Sequence, residues 1–278
     1  MAEVTPLPAA TVTLVRDSAR GLEVLMLQRS HSLKFMPGVY VFPGGGLDAA
    51  DGAAEVRELC AGLEDDAASR ALGMEQGGLA YWVAAIREAF EEAGILLAYD
   101  AAGRFVESGV ERFDAARRAL HGRHGDFPAF LRAEGLRLAT DRLTYFGHWI
   151  TPVNVPRRYD TRFFLAVAPE GQEARPDEHE TIAHRWLRPQ EAIDLSAREL
   201  LNLRFPTLKT LERFAACNTA AELLAEVTAV PVGRPLLPRT TRDGRTLLPG
   251  EPGYEEAGET KAEGGSRKAE GQRWPKKP

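Results

Sequence analysis

In the stretch REAFEEAG, residues 87–94, three glutamates and one arginine stand within six positions, and a glycine closes the run. On a helix turning 100° per residue, Glu88, Glu91 and Glu92 fall at i, i+3 and i+4 and share one face. Like charges at that spacing repel, and near a helix C-terminus they also oppose the macrodipole. A hard divalent cation removes the conflict. Mg²⁺ or Mn²⁺ takes carboxylate oxygens in an octahedral shell that water or a substrate phosphate completes. The competing reading is an ordinary surface helix whose wet side happens to be acidic.

The elements around the run decide between these readings. In GLAYWVAAIREAFEEAG, Leu79, Trp82, Val83, Ile86 and Phe90 form one apolar stripe of helical period, and Gly94 follows as the stop. Upstream, 10–17 and 21–30 read as strands joined by a turn at 18–21. A short strand at 39–42 runs into Pro43-Gly44-Gly45-Gly46, read as a tight turn free of side chains that a ligand or another loop can approach closely. Residues 52–77 read as one or two short helices. A strand at 95–99 precedes helical segments over 110–134, broken near Gly125 and Pro128. Strands at 143–151, 161–168 and 181–187 and helices near 207–217 and 219–227 complete the pattern. The fold class is α/β with one mixed sheet. Residues 229–254 form a Pro- and Gly-rich extended arm, and 255–278 read as a disordered tail because too little of that segment is apolar.

Composition narrows the function classes. The 278 residues are 44% hydrophobic with a net charge of −5, and the pI is about 5.8. An acidic chain argues against nucleic-acid binding, which needs clustered Lys and Arg. Cys60 and Cys217 have no metal-ligand spacing and read as reduced thiols. No apolar run is long enough to span a membrane. The N-terminus lacks a secretory pattern and the ending WPKKP is not a peroxisomal signal, so a cytoplasmic location is expected.

Strand, glycine-rich segment and RExxEExG helix together resemble the Nudix hydrolases, whose motif is G-x5-E-x7-R-E-U-x-E-E-x-G-U with U apolar. Gly45 is followed after five residues by Asp51, where the family carries Glu, and then by Arg87-Glu88-Ala89-Phe90-Glu91-Glu92-Ala93-Gly94-Ile95. The spacer between the halves is 35 residues here, 52–86, instead of seven. The long insert resembles the branch that includes the acyl-coenzyme A diphosphatases. An upstream pattern of coenzyme A enzymes, L-L-T-x-R-S/A-x3-R-x3-G-x3-F-P-G-G, is met by Leu25, Arg29, Ser30, Gly38 and Phe42-Pro43-Gly44-Gly45. Met26, Leu27 and Lys34 depart from it.

The resemblance implies one Nudix domain over 1–254, an α/β/α sandwich with a central mixed sheet, a helical insert at 52–77, and C-terminal helices and arm over 196–254. It implies hydrolysis of a pyrophosphate bond in a nucleoside diphosphate derivative, with coenzyme A or acyl-coenzyme A as the first expectation. ADP-ribose or a dinucleotide is the second, and a non-catalytic, ligand-sensing domain the third. Glu88, Glu91 and Glu92 are the implied ligands of Mg²⁺ or Mn²⁺. Arg87 is expected to pair with a carboxylate and hold it in place. Glu88 and Glu180 are alternative general bases. Gly44, Gly45 and Gly46 let backbone approach metal and phosphates, and Arg29, Lys34 and Arg162 are candidate phosphate contacts. The partner is a small nucleotide, with no nucleic acid and no membrane; a homodimer is left open.

Overall fold

The computed structural model describes residues 4–121, 125–153 and 155–257. Its first strand, β1 (Leu7–Ser18), organises the rest. The second half of β1 pairs antiparallel with β2 (Gly21–Arg29), from Val15↔Val24 to Ser18↔Gly21. Gly21 sits at φ 101°, which the tight connection requires. β3 (Tyr40–Val41) continues from β2 at Leu27↔Val41. The first half of β1 pairs with β4 (Gly44–Gly46), from Ala9↔Gly46 to Thr11↔Gly44. The glycine run is therefore a paired extended segment, not the tight turn read from the sequence. None of its three residues has positive φ.

The insert forms a 3₁₀ turn (Ala49–Gly52), α1 (Ala54–Arg57) and α2 (Asp65–Leu72). It then prepares the next helix, because the Asp65 carboxylate accepts from the backbone N–H of Gly77 at 2.9 Å and of Leu79 at 3.0 Å. The Leu79 amide is one of the orphan donors at the start of α3 (Leu79–Ala93), and Gly77 lies just before its N-cap, Gly78. α3 ends where Gly94 turns left-handed at φ 69°, with Ile95 N–H reaching back to the Ala89 carbonyl at 3.2 Å. Every residue of α3 except Glu88 and Glu91 is buried, so it is an interior helix with no wet side.

Of the strand expected at 95–99, only β5 (Ala98–Tyr99) pairs; Ile95, Leu96 and Leu97 are buried in the core without a ladder. A 3₁₀ turn leads into α4 (Asp114–His121), and α5 (Phe127–Ala133) follows. The two helical pieces expected on either side of Gly125 and Pro128 are α4 and α5; Pro128 lies in the first turn of α5, where Asp126 caps by accepting from Ala129 N–H at 2.9 Å. β6 (Arg137–Leu138) pairs β5. β7 (Thr144–Ile150) runs antiparallel to β8 (Tyr159–Val167), and β8 lies parallel to β1 from Leu7↔Tyr159 to Val15↔Val167. β9 (Thr181–Leu187) closes the far side of β2. The sheet order β3-β2-β1-β8-β7, with β4 on β1 and β9 on β2, is mixed.

Alternation along the strands gives each face its own core. Ala10, Val12, Leu14, Leu25 and Leu27 pack toward α3 and the insert. Val15, Val24, Met26 and Leu165 pack toward the C-terminal helices. Those are α6 (Pro189–Ala197), α7 (Phe205–Phe214) and α8 (Ala220–Ala229); α6 was not anticipated. The arm that follows is tied to β7 by Leu236, whose N–H donates to the His148 carbonyl at 2.8 Å and whose carbonyl accepts from Ile150 N–H at 2.9 Å. It carries a small hairpin of β10 (Arg239–Thr240) and β11 (Thr246–Leu247). From residue 258 the expected tail lies outside the described residues, whereas Ala257 packs with Leu247 and Tyr254. Among the described residues no helix is long and apolar enough to cross a membrane.

Candidate active site

β4 and the last two turns of α3 are in direct contact. Gly44 N–H donates to Glu92 Oε2 at 3.0 Å. A Cβ at Gly45 would lie 2.4 Å from Glu88 Oε1, and one at Gly44 would lie 2.6 Å from the Ala10 carbonyl. The glycines are needed here for space, since their backbone is extended and any residue adopts it.

Arg87 organises the carboxylates. Its Nε donates to Asp51 Oδ1 at 2.9 Å and its Nη2 to Asp51 Oδ2 at 3.0 Å. Nη1 donates to Glu88 Oε1 at 2.9 Å and Glu91 Oε1 at 3.3 Å, and Nη2 also reaches the Gly46 carbonyl at 3.0 Å. One guanidinium thus spends its donors on three carboxylates and the glycine strand. Burial disfavours its charge, yet the hydrogen bonds it donates to Asp51 and the field of Glu88 outweigh that and hold Arg87 cationic.

Three carboxylates, those of Asp51, Glu88 and Glu91, pair with this single guanidinium, Asp48 lies 3.9 Å from it, and Glu92 adds a further buried carboxylate beside Glu88. The excess shows in the proton affinities of the three glutamates. Burial pushes Glu88 up to about 7, with Arg87 opposing and Glu91 reinforcing. Glu91 is raised by burial against the pull of Arg87. Glu92 is raised well above the usual carboxylate range by burial and then by Glu88, with Gly44 N–H acting the other way. Buried, undercompensated carboxylates are the donor chemistry that a hard divalent cation requires. Arg87 engages only Oε1 of Glu88 and Glu91, so Oε2 of each and Oε1 of Glu92 are left for such an ion. Among the described residues no three His, Cys, Asp or Glu side chains already stand in a formed cage.

The rim of the cluster comes from the ends of two strands. Arg29, at the end of β2, lies 3.9 Å from Glu180, just before β9. Both act on the charge of Glu92. Lys34 is exposed on the segment between β2 and β3. Arg162 is not in this group. It is buried on β8 beside Asp160 and His148, with its guanidinium 5.2 Å from the Tyr81 ring centre. In register it stands opposite Ala10, which stands opposite Gly45, so two strand spacings, about 10 Å, separate it from β4. Arg158 donates to the Thr151 and Val4 carbonyls, and Trp149 is core.

Sequence reasoning missed the parts that enclose the carboxylates. Arg117 of α4 donates from Nε to the Glu91 carbonyl at 3.0 Å and from Nη2 to the Arg175 carbonyl at 2.5 Å. One turn on, His121 lies 3.6 Å from Asp177 and stacks on His179 with ring centres 5.4 Å apart. Thr181 Oγ1 donates to the Glu92 carbonyl at 3.1 Å. No local pattern in 110–121 or 175–181 announces these contacts.

Comparison with known proteins agrees with this geometry. A family model described as the NUDT19 Nudix domain matches residues 65–214, just over half of the chain. The chain is 32% identical over 243 residues to the human protein named acyl-coenzyme A diphosphatase NUDT19, covering 74% of this chain and 64% of that protein. It is 34% identical to the Gallus gallus protein of the same name, covering 70% and 61%. The chain therefore spans somewhat less than two thirds of these relatives' lengths. A crystal structure of a NUDIX hydrolase from Alicyclobacillus acidocaldarius superposes with a TM-score of 0.68 at 28% identity, over 84% of this chain and all of that one. The match to the family model, with the strand–helix contact and the sheet packed between helices on its two faces, makes this chain a member of the Nudix hydrolase family.

Proposed function

We propose that the chain is a metal-dependent pyrophosphohydrolase of coenzyme A or acyl-coenzyme A, releasing 3′,5′-ADP and the (acyl-)phosphopantetheine. The observation that carries the reading is the buried, undercompensated carboxylate set of α3 pressed against the Gly44–Gly46 strand. The names of the human and chicken relatives support the coenzyme A class.

In this reading Glu88, Glu91 and Glu92 hold Mg²⁺ or Mn²⁺. When bound, the ion neutralises pyrophosphate oxygens and acidifies a water. Arg87 keeps Glu88 and Glu91 pointed at the site and ties them to Asp51 and the glycine strand. The side-chain-free backbone of Gly44–Gly46 lets phosphoryl oxygens approach. Arg29, beside Glu180, and Lys34, exposed on the segment that follows β2, meet the remaining phosphate charge. Glu180, half-exposed beside Arg29, accepts the proton of the attacking water; Glu88 is the alternative acceptor. Arg162, committed to Asp160 and His148, is left out of phosphate binding. A small nucleotide is the only partner the reading needs, in a cytoplasmic setting.

The test is hydrolysis of coenzyme A, an acyl-coenzyme A, ADP-ribose and NADH by the purified chain. Faster cleavage of the coenzyme A species supports the proposal. A dominant ADP-ribose rate moves the substrate to the second class, for which the departures at Leu27 and Lys34 are the motive.

A further inference from the structure

The turn before β9 is built around one side chain. Asp177 Oδ1 accepts from the backbone N–H of His179 at 2.6 Å, of Glu180 at 2.7 Å and of Thr181 at 3.1 Å. Glu178 N–H closes the turn on the Thr181 carbonyl at 2.9 Å, which forces Glu178 into the left-handed region at φ 66°. A non-glycine residue there costs conformational energy that the surrounding bonds must over-determine.

The other carboxylate oxygen is treated differently. The Asp177 side chain is 4% exposed, and its buried Oδ2 has no hydrogen-bond partner. His121 Nδ1 lies 3.6 Å from it, and the His121 ring stacks on that of His179. A buried carboxylate oxygen without a hydrogen bond lowers stability. Three hydrogen bonds to one carboxylate oxygen are what hold this strained turn.

What the turn holds in place is Glu180. Its N–H is fixed by Asp177, its carbonyl accepts from Ser30 N–H at 2.7 Å, and the next residue, Thr181, is tied to the Glu92 carbonyl. The Glu180 backbone is thus fastened to the end of β2 and to the end of α3. Its side chain stays half-exposed beside Arg29.

We propose that Asp177 is a positioning residue for hydrolysis: through Oδ1 it fixes the 178–181 turn so that the Glu180 carboxylate is presented to the cluster on α3. The inference rests on the reading of Glu180 as proton acceptor. Asparagine keeps the Oδ1 acceptor and alanine removes it, so the two variants separate turn geometry from loss of the residue.

The test compares Asp177→Ala, Asp177→Asn, Glu180→Gln and the Asp177→Ala/Glu180→Gln double variant for kcat and KM on coenzyme A. Amide hydrogen exchange at 179–181 is measured in parallel. Expected are a kcat loss of at least about tenfold in Asp177→Ala with little change in KM, near-complete retention in Asp177→Asn, and a double variant no slower than Glu180→Gln alone. Exchange at 179–181 should rise in Asp177→Ala and not in Asp177→Asn. The proposal is overturned if Asp177→Ala keeps kcat within twofold, if the two losses multiply, if Glu180→Gln has no effect, or if exchange at 179–181 is unchanged in Asp177→Ala. A wild-type chain that cleaves nothing overturns the functional reading instead, while the exchange measurement still decides whether Asp177 holds the turn.

Discussion

Arg87 and Asp51, 36 positions apart in sequence, meet in a two-pronged ion pair with Nε–Oδ1 at 2.9 Å and Nη2–Oδ2 at 3.0 Å. The pair explains how a motif interrupted by a long insert keeps its geometry. Loop closure costs grow only slowly with length, and this contact fixes the ends. Both side chains are almost fully buried, at 6% and 1% exposure. Removing Asp51 takes charge-assisted hydrogen bonds from Arg87, which keeps Glu88, Glu91 and the Gly46 carbonyl, and bonds to charged groups are each worth about 1.5–3 kcal/mol. Asp51→Ala should therefore lose stability of that order in urea denaturation. An Asp51→Ala chain as stable as wild type contradicts the assignment.

Gly45→Ala separates function from folding. The added methyl group points into the Glu88 carboxylate, which can swing away at modest cost in stability but only by leaving its place beside Arg87. Turnover should fall by about tenfold or more, while the melting temperature moves by a few degrees. Unchanged turnover means that Glu88 need not occupy its observed position.

The raised carboxylates make a pH prediction whose sign is definite. Glu88 is pushed from 4.5 up to about 7 by burial, and Glu91 and Glu92 are also raised by burial. A carboxyl group whose folded pKa is raised binds its proton more tightly in the folded state. Its stabilising contribution is full below about pH 4.5 and is lost as pH rises through about 7. In EDTA, the part of the stability set by these groups should fall across that window. Mg²⁺ should restore stability most at the alkaline end, where the carboxylates are ionised. Equal Mg²⁺ stabilisation at pH 5 and pH 8 contradicts this.

The insert also contributes to α3. Asp65 accepts from Gly77 and Leu79 N–H, and these bonds hold its own pKa down against burial. Asp65→Ala should cost about 1 kcal/mol, the usual price of a lost cap. Chemical denaturation measures it, and no loss means that the start of α3 is satisfied otherwise.

What could be read from the sequence follows the range of the forces involved. The apolar stripe from Leu79 to Phe90, the stop at Gly94 and the alternating strands are local patterns, and the structure contains them. The Gly44–Gly46 run was misread because glycine signals freedom, whereas here it signals proximity to Glu88 and Ala10. The burial of Glu92 was invisible because α4 and the turn at 177–181 cover it from more than 20 residues away. α6 was missed because its exposed and buried residues make only a weak stripe. Arg162 reads from the sequence as a candidate phosphate contact; one partner, Asp160, is on its own strand and the other, His148, comes from strand register, which composition does not reveal.

The most direct test of the central claim is hydrolysis of coenzyme A by wild type and Glu92→Gln, with Mg²⁺, with Mn²⁺ and with EDTA. The account predicts cleavage to 3′,5′-ADP in either metal, abolished by EDTA and reduced at least about 100-fold by the substitution. Cleavage that survives EDTA, or that Glu92→Gln leaves intact, contradicts it.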